Sequence, residues 1–349
     1  MPMIIDEPRP GMPSILLYFD SLLVGDSMLM LPILRALRRA QPKAKIVLMC
    51  GRGTTFLARQ GRTLCAGVVD EFIENESWDG IFPSPWHPGA IDRLAGRAFD
   101  IIIDTQSRFM TTLALKRVPH DIFVARARGV LLSNRLPIYF APKGPNYGSR
   151  LAKLCERALG QRIAPELDWQ LPEHLRREAA AMLSIPAGAQ ALGIAPGASV
   201  VEKRWPIDRF VELAHRQASR GRHLVFVLGP AELDLRQRLL AEFPRADFPQ
   251  CAHEPLLTLA VAERMTVTVA SDGGAGHLIA ATSPRHVTVF ARAKPSTWAP
   301  WARELKMVTP QDCGVDSILE IGTACVERHV DDFFQQAGDN SAGNAGHGL

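Results

Sequence analysis

A chain of 349 residues in which 47% are hydrophobic and 22% are charged has the composition of a folded globular protein, which excludes a disordered chain. Its length predicts two domains, because a single hydrophobic core rarely serves more than about 300 residues. Residues 1–165 carry 22 basic and 14 acidic side chains, a net charge of +8, whereas the remainder carries 18 and 22, a net charge of −4. A basic half predicts an acidic partner, and charge alone leaves open a phosphorylated glycolipid, a nucleic acid or an anionic membrane surface.

The cysteines and the N-terminus indicate in which cellular compartment the protein is expected. Six cysteines stand at positions 50, 65, 155, 251, 313 and 325, without a CxxC pair or a Cys/His cluster of zinc spacing. We therefore expect free thiols, mostly in the core, and a reducing compartment. The start, MPMIIDEPRPGMP, has acids and prolines where a signal peptide needs a basic patch and an apolar run, and no segment has the roughly 20 apolar residues of a membrane helix. These features predict a cytoplasmic protein with at most peripheral membrane contact.

Apolar segments of strand length alternate with helical patterns along the first half, which is typical of parallel β-α-β units with helices on both faces of a sheet. One helix is predicted over residues 26–40, because its leucines and isoleucine recur with helical spacing. The predicted strands cover residues 14–19, 45–49, 68–73 and 99–104.

The second half repeats this alternation after residues 165–189, whose prolines, glycine and charged helical stretch predict an interdomain connection. Its predicted strands cover residues 191–195, 223–229, 266–271 and 286–291. We therefore predict an α/β protein of two doubly wound, Rossmann-like domains, 1–170 and 171–335, which face each other across a cleft. A mobile tail is predicted over residues 336–349. In such sheets ligands bind outside the carboxyl ends of the strands.

The segment SDGGAGHLIAA, residues 271–281, leads from a predicted strand through a glycine-rich turn into a helix. Such a turn exposes backbone N–H groups at the positive end of a helix dipole, which favours an anion such as a diphosphate. Asp272, near the N-cap, is interpreted either as a helix cap or as a group that reaches a sugar hydroxyl. His277 also has two interpretations, a buried structural histidine or a phosphate contact.

Two further segments follow predicted strands of the second half. In APGASVVEKRWP, residues 195–206, the spacing of Ser199 and Lys203 suits a phosphate-binding loop, and a plain surface loop is the alternative. In VLGPAELDLRQRL, Glu232 either stabilises a helix N-terminus or hydrogen-bonds a ribose.

The fourth segment, DSLLVGDSMLMLP at residues 20–32, lies in the first half, with Asp26 at a predicted helix start. Asp26 is interpreted as a helix cap or, where it faces a cleft, as a general base that deprotonates an acceptor hydroxyl for attack on an anomeric carbon. The anion site of the second half would then stabilise the departing nucleoside diphosphate.

Taken in this order, the four segments resemble glycosyltransferase family 9, the ADP-heptose:lipopolysaccharide heptosyltransferases. The signatures of that family are a G-D-x-x-x-x-x-P start, a P-G-A-S-x-x-x-K-R-W-P loop, and a D-T-G-x-x-H turn followed by a strand and W-x-P. Their counterparts here are residues 25–32, 196–206, 272–277 and 298–300. The likeness covers most of residues 14–310 and is stronger in the second half.

The resemblance implies a GT-B fold and an inverting transfer of heptose from ADP-heptose, with Asp26 as the catalytic base. It assigns the diphosphate to Ser199 and Lys203, the ribose to Glu232, and the sugar and phosphates to the 272–277 turn. The implied donor-binding residues are Ser199, Lys203, Glu232, Asp272, Gly273, Gly274 and His277. No metal is obligatory in the family, and magnesium is an optional addition.

The resemblance also implies an acidic glycolipid acceptor of the lipid A–Kdo type, at the cytoplasmic face of the inner membrane, and no nucleic acid partner. An acidic acceptor would account for the positive net charge of the first half. For the acceptor side we single out Arg52, Arg108 and Arg126.

Two features depart from the family pattern. Gly273 stands where the family has threonine, which removes a hydroxyl group near the phosphates or the sugar. The segment YFDSLLV before Asp26 lacks the arginine or lysine often found there, and residues 105–135 match no signature of the family. Donor identity and acceptor choice therefore stay open at this point.

Other function classes fit the sequence less well. No G-x-G-x-x-G follows the first predicted strand and no Walker motif is present, which disfavours a Rossmann dehydrogenase and a P-loop NTPase. A non-hydrolysing sugar-nucleotide epimerase shares the architecture and is the nearest alternative enzyme. A heptosyltransferase with a protein acceptor and a binding protein without catalysis are the remaining alternatives, although a pure binder has no use for a base such as Asp26.

Overall fold

The computed structural model describes residues 12–74, 94, 96–126, 132–135, 146–198, 200–291 and 295–345. The chain divides into two compact units, Met1–Glu166 and Leu167–Leu349. Each unit is built on its own parallel β-sheet flanked by helices. The prediction of two Rossmann-like α/β domains is therefore confirmed.

The first domain contains a five-stranded parallel sheet in the order β3-β2-β1-β4-β5. Its strands are β1 (Ser14–Phe19), β2 (Lys45–Cys50), β3 (Glu71–Glu74), β4 (Phe99–Asp104) and β5 (His120–Ala125). Every residue of β1 is buried, as expected for a central strand that is covered on both faces. The chain leaves β1 towards one side of the sheet and β4 towards the other, so the switch point at which ligands bind lies between these two strands.

The helices of the first domain are α1 (Val24–Ala40), α2 (Phe109–Leu115) and α3 (Tyr147–Leu159). The apolar face of α1 is buried, and α1 packs against α3. At the start of α3, the side chain of Asn146 accepts a hydrogen bond from the backbone N–H of Ser149 at 3.0 Å. At its end, Gly160 takes the left-handed conformation, with φ of 76°, that commonly terminates a helix. Both ends of α3 are thus fixed by local sequence.

The second domain contains a five-stranded parallel sheet in the order β10-β9-β8-β6-β7. Its strands are β6 (Ala191–Ala195), β7 (His223–Phe226), β8 (Val267–Ser271), β9 (Arg285–Val289) and β10 (Glu304–Val308). The switch point of this sheet lies between β6 and β8, because their connections lead to opposite sides.

The helices of the second domain are α4 (Glu173–Ala181), α5 (Ile207–Ser219), α6 (Leu235–Glu242), α7 (Pro255–Glu263), α8 (Gly274–Thr282) and α9 (Thr323–Ala345). Within the predicted connection 165–189, α4 packs against α7, and Arg176 bonds Glu263 at 2.8 Å. The indole ring of Trp205 is buried in the core and meets Phe210 edge to face, with ring centroids 4.7 Å apart. In the described ranges, no helix combines the length and the apolar character needed to cross a membrane.

The last helix, α9, includes most of the segment for which a mobile tail is predicted. The helix α9 continues to Ala345, so residues 336–345 form its C-terminal part. Glutamine and alanine favour a helix at the start of this stretch, and a single glycine such as Gly338 costs only about 1 kcal/mol relative to alanine, which does not end a helix that is already formed. Residues 346–349 lie outside the described part of the chain.

The cysteine expectation is also corrected in part. Cys313 and Cys325 form a disulfide, with Cα atoms 6.0 Å apart, so not all six thiols are free. The sequence does not reveal this pair, because the segment between the two cysteines folds back to the start of α9 through tertiary packing and not through a recognisable motif. The remaining cysteines are free and buried, as expected: Cys50, Cys65, Cys155 and Cys251.

Candidate functional site

Three loops meet at the carboxyl edge of the second sheet, where β7, β6 and β8 end side by side. They are residues 227–234 after β7, 196–206 after β6, and 272–273 after β8. In open α/β sheets the ligand crevice lies at this edge, next to the switch point. The sequence segments singled out for donor binding therefore belong to one site.

The hydroxyl group of Ser271 ties two of these loops together. It accepts a hydrogen bond from the backbone N–H of Trp205 at 3.1 Å and donates one to the carbonyl oxygen of Pro196 at 3.2 Å. The indole N–H of Trp205 donates to the carbonyl oxygen of Ile321 at 2.9 Å. Both ends of the loop after β6 are thus anchored to the body of the domain.

The backbone at Gly273 lies directly against the loop after β6. A Cβ atom at this position would lie 2.6 Å from the carbonyl oxygen of Gly197 and 2.8 Å from the Cα atom of Ala198. The carbonyl of Ala198 is held in turn by the guanidinium Nε–H of Arg204, at 2.7 Å. Backbone occupies the space that a threonine side chain would need, which gives a physical reason for the departure from the family pattern at Gly273.

Two of the predicted donor-binding residues, Lys203 and His277, lie next to Asp272. Its side chain is 3% exposed, and one carboxylate oxygen lies 2.8 Å from the ammonium nitrogen of Lys203. The other carboxylate oxygen lies 3.9 Å from Nε2 of His277. Burial lowers the pKa of His277 to about 4, although Asp272 acts in the opposite direction, so the imidazole is neutral at pH 7. The positive charge of this cluster therefore resides on Lys203.

The N-terminus of α8 faces the same cluster. Gly273 is the N-cap residue and supplies no side-chain hydrogen bond to the first turn, which begins at Gly274. The first N–H groups of a helix have no partner within the helix and carry its positive dipole end. This end of α8 therefore suits a phosphate group. Ser199, the remaining predicted phosphate contact, lies outside the described residues.

Glu232 lies between the loops after β6 and β7. It ends a short 3₁₀ turn, Pro230–Glu232, and α6 begins only at Leu235, which disfavours its interpretation as the first residue of a helix. A Cβ atom on Gly197 would fall 2.2 Å from the carboxyl carbon of Glu232, and one on Gly229 would fall 2.7 Å from Oε2. Two glycines therefore make room for this carboxyl group. Burial raises the pKa of Glu232, and Arg204 counteracts that shift.

A cavity of about 420 Å³ adjoins this position, with the neighbouring residue Leu233 in its wall. Two stacked rings, Phe226 and Phe248, form part of its lining, with centroids 5.2 Å apart and planes at 11°. The polar lining residues are Arg236, Gln250, His253 and Glu254. This cavity could not be predicted from the sequence, because the segment before α7 carries no motif and its residues reach the cavity only through the fold.

In the first domain, Asp26 belongs to the first turn of α1, whose N-cap is Leu23. Asp26 is therefore not the cap residue, and its carboxylate in the first turn interacts favourably with the positive end of the helix dipole. Its charge acts on Tyr147, the first residue of α3: burial raises the pKa of Tyr147 and Asp26 raises it further, against the lowering effect of Arg126. Asp26 thus lies at the carboxyl edge of the first sheet, near Tyr147 and Arg126.

The three arginines predicted for the acceptor side have different surroundings. The guanidinium carbon of Arg126 lies 5.8 Å from the ring centroid of Tyr147, the residue whose pKa Asp26 also affects. Arg108 pairs with the carboxylate of Asp20 at 2.8 Å. The backbone N–H of Arg52 donates to the carbonyl oxygen of Asp20 at 3.0 Å. The structure therefore associates Arg126 with Tyr147, on which Asp26 also acts, and associates the other two arginines with Asp20.

The model of glycosyltransferase family 9 (heptosyltransferase) matches residues 90–316, which is more than half of the chain. This chain belongs to glycosyltransferase family 9. It is therefore a glycosyltransferase, and the match confirms the resemblance seen in the motifs. No match to the sequence is found among curated proteins.

Solved structures of family 9 enzymes share the fold. ADP-heptose lps heptosyltransferase II of E. coli is 19% identical, with a TM-score of 0.64 over 93% of this chain and 99% of that chain. A family 9 glycosyl transferase from Veillonella parvula DSM 2008 is 19% identical, with a TM-score of 0.63 over 93% and 98%. E. coli heptosyltransferase WaaC with ADP is 18% identical, with a TM-score of 0.60 over 92% and 99%. These likenesses confirm the predicted GT-B type of fold.

Proposed function

We propose that this family 9 enzyme transfers heptose from ADP-heptose to an acidic acceptor of the lipopolysaccharide inner core, with inversion at the anomeric carbon. The observation that carries the proposal is the convergence of Lys203, Asp272 and Glu232 at the carboxyl edge of the second sheet, beside the N-terminus of α8. A solved relative supports the donor: E. coli heptosyltransferase WaaC has structures with ADP and with ADP-2-deoxy-2-fluoro heptose.

The pyrophosphate is proposed to bind at the first turn of α8 and at Lys203. The turn offers uncapped N–H groups and a helix dipole, and Lys203 offers a full positive charge. Gly273 and Gly274 let the phosphates approach the backbone closely, and Ser199 is proposed as a further contact on the strength of the family motif alone. The negative charge that develops on the leaving diphosphate would be stabilised by groups that the fold already holds in place.

The nucleoside is proposed to extend from Glu232 into the adjoining cavity. The buried carboxylate of Glu232, for which two glycines leave room, is proposed to accept hydrogen bonds from the ribose hydroxyls. The cavity beside it has the stacked rings of Phe226 and Phe248 in its wall and a volume of about 420 Å³, which suits a purine base. Asp272 and His277 are proposed to contact the heptose.

The proposed reaction begins at Asp26. Its carboxylate removes the proton of the acceptor hydroxyl while the oxygen forms a bond to the anomeric carbon, and the bond from that carbon to the diphosphate oxygen breaks on the opposite face. The configuration at the anomeric carbon inverts and ADP leaves with the bonding electron pair. A base positioned in this way contributes roughly 10²- to 10⁴-fold to the rate. As the family resemblance implies, we propose that no metal ion is obligatory for this transfer.

The acceptor is proposed to be an acidic glycolipid of the lipid A–Kdo type, met at the inner face of the inner membrane. The net charge of +8 on residues 1–165 supports an acidic acceptor and peripheral contact with an anionic surface. A protein acceptor is the second candidate, and it lacks a specific observation in its favour.

The test is transfer from ADP-heptose by Asp26→Asn, with Asp121→Asn as a matched control. Asp121 is an exposed residue at the amino end of β5 in the same domain, opposite to the edge that carries Asp26. We expect Asp26→Asn to lose at least about 100-fold in kcat while ADP still raises its melting temperature as in the wild type. Near-normal turnover by Asp26→Asn would show that Asp26 is not the catalytic base.

A second measurement separates transfer from epimerisation. A screen of nucleotide sugars for thermal stabilisation identifies the donor, since a ligand that binds only the folded state raises stability by mass action. The stabilising donor is then incubated without acceptor. Conversion of its sugar to an epimer under these conditions would favour the epimerase alternative over a transferase.

A further inference from the structure

The face of the second sheet that packs against α8 carries polar side chains, although it lies inside the domain. The valines of β8 and β9 belong to the core formed with α5 and α9, and side chains alternate along a strand. The residues between these valines therefore point to the opposite face, towards α8, which packs against both strands. They include Thr268 and its register partner His286, both 0% exposed, and Thr288 two residues further on. A sheet that is covered on both faces normally buries apolar residues here, so this polar group indicates a role beyond packing.

One nitrogen atom of each of two histidines at this face is buried and has no hydrogen-bond partner among the described residues. The two atoms are Nε2 of His286 and Nδ1 of His277, which lies in α8. The electrostatic effect of His277 on the pKa of His286 indicates that the two rings are near each other. Burial lowers the pKa of His286 to about 3 and that of His277 to about 4, so both rings are neutral at pH 7 and each carries one N–H. A hydrogen bond between the two nitrogens would satisfy both atoms.

The contacts of Thr268 determine which nitrogen of His286 carries the hydrogen. The Thr268 hydroxyl lies 2.7 Å from Nδ1 of His286 and 3.3 Å from the carbonyl oxygen of Arg285. A hydroxyl group has a single hydrogen, and the shorter of the two contacts is the stronger hydrogen bond. Thr268 therefore donates to Nδ1, and the hydrogen of the neutral His286 ring lies on Nε2, from which it can be donated to His277.

Asp272 favours the same direction at the other end of this pair. Nε2 of His277 lies 3.9 Å from one carboxylate oxygen of Asp272, and the second oxygen pairs with the ammonium group of Lys203. An ionised carboxylate only accepts hydrogen bonds, so the tautomer of His277 with its hydrogen on Nε2 is favoured. Nδ1 of His277 is then an acceptor, which matches the N–H donor of His286.

We propose that Thr268 and His286 form a hydrogen-bond relay that fixes the tautomer of His277, with its hydrogen on Nε2, where it faces Asp272 and the heptose of the donor. This inference rests on the proposed function, in which His277 contacts the heptose. Thr268 and His286 are positioning residues, because they act through His277. The N–H of His286 reaches Nδ1 of His277 directly or through one buried water, and the direction of the relay is the same in both cases.

The relay determines what His277 offers to the sugar. A neutral imidazole can carry its hydrogen on either nitrogen. With the hydrogen on Nδ1, the lone pair of Nε2 would repel the Asp272 carboxylate and would compete with it as a second acceptor. With the hydrogen on Nε2, His277 donates to a heptose oxygen while Asp272 accepts from a heptose hydroxyl. A donor and an acceptor side by side select a sugar whose oxygen atoms have the matching spacing.

The relay is tested at pH 7 by nuclear magnetic resonance of the enzyme with isotope-labelled histidine rings, because long-range couplings distinguish a ring nitrogen that carries hydrogen from one that does not. The spectrum of His277→Asn identifies the signals of His277. The variants are Thr268→Val, which removes the hydroxyl group and nearly keeps the shape, Thr268→Ser, which keeps the hydroxyl group, and His286→Phe. Thr282→Val is the matched control, since this buried threonine donates to the carbonyl oxygen of Leu259 at 2.7 Å and belongs to the far end of α8.

We expect His277 of the wild type to carry its hydrogen on Nε2, and Thr268→Val and His286→Phe to show the second tautomer as well. Both variants should lower kcat/KM for ADP-heptose by about 3- to 10-fold, as for the loss of one hydrogen bond. Their affinity for ADP, which lacks the heptose, should stay within about twofold of the wild type. Thr268→Ser and Thr282→Val should behave as the wild type in every measurement. A His277 hydrogen on Nδ1 in the wild type, or an unchanged tautomer in either Thr268→Val or His286→Phe, overturns the relay.

The two kinds of measurement separate this inference from the proposed function, because the tautomer of His277 is observed without any transfer. The expected tautomers in an enzyme that transfers nothing from ADP-heptose would contradict the proposed function and leave the relay intact. Transfer from ADP-heptose by an enzyme whose His277 tautomer does not respond to changes at Thr268 or His286 would contradict the relay alone. An enzyme that shows neither the transfer nor the expected tautomers would contradict both.

Discussion

The ammonium group of Lys203 lies 2.8 Å from a carboxylate oxygen of Asp272, whose side chain is only 3% exposed. A buried carboxylate needs such a partner, because desolvation penalises an isolated charge. A diphosphate that approaches Lys203 must compete for the same ammonium group. We therefore expect donor binding to share the positive charge of Lys203 between Asp272 and the phosphates, and to leave the carboxylate free to accept hydrogen bonds from the sugar.

Lys203→Ala should weaken ADP binding by about 1.5 to 3 kcal/mol, as expected for the loss of a charge-assisted contact. It should also destabilise the second domain, because Asp272 would remain buried without its counter-charge. Titration calorimetry with ADP and thermal unfolding of the ligand-free protein measure the two effects. Adding Asp272→Asn to the variant should restore stability without restoring ADP affinity. Unchanged ADP affinity in Lys203→Ala would exclude this lysine from the donor site.

Gly273→Ala should lower the free energy of unfolding by about 1 to 3 kcal/mol and weaken ADP binding, because a Cβ atom would meet backbone atoms of Gly197 and Ala198 at 2.6 and 2.8 Å. Threonine, the family residue, should cost more than alanine. Gly322→Ala is the control, since a Cβ atom at that position meets nothing within 4 Å. Chemical denaturation measures the difference. A Gly273→Thr protein as stable as the wild type would show that the neighbouring loop moves away readily.

The fully buried strands of both sheets could be predicted from sequence because they are continuous apolar runs, and the donor motifs could be placed because each directly follows such a strand. The edge strands β5 and β10 were missed, since their half-exposed residues give neither an apolar run nor a clear alternation. The surroundings of Asp26 were missed for another reason. Tyr147 reaches it only through the packing of α3 on α1, and no local pattern encodes a contact between such distant segments.

Asp104 predicts a pH dependence of stability. Burial raises its pKa from 3.8 to about 7, so the folded protein holds this proton more tightly than the unfolded chain does. The contribution to stability is complete below about pH 4 and is lost as the pH rises to about 7. Asp104→Asn keeps an oxygen acceptor for the backbone N–H of Gln106 and presents an amide donor to the Thr112 hydroxyl, which can still donate to the carbonyl oxygen of Arg108. Without the charge, the variant should stabilise the first domain at pH 8 by on the order of 2 to 4 kcal/mol.

Urea denaturation of the wild type and of Asp104→Asn between pH 4 and pH 8 checks this prediction, because other titrating groups contribute equally to both proteins. The difference between the two stabilities should grow as the pH rises. A constant difference over this range would mean that Asp104 titrates at its ordinary pKa.

Reduction of the Cys313–Cys325 disulfide should lower the free energy of unfolding by about 3 kcal/mol, from the entropy that a loop of this length gains in the unfolded chain. The double variant Cys313→Ser/Cys325→Ser should match the reduced wild type and should not respond to a reducing agent. Denaturation with and without dithiothreitol measures the effect. Six titratable thiols in the unreduced, unfolded protein would contradict the bond.

The bridge formed by the Ser271 hydroxyl bears on how fast a nucleotide is captured. Hydrogen bonds within the domain anchor both ends of the loop after β6, so these backbone segments are ordered before a ligand binds. Nucleotide binding therefore does not include the entropic cost of ordering them. Rapid-mixing traces of nucleotide capture should then show a single concentration-dependent phase, without the slower unimolecular phase that an ordering loop would add.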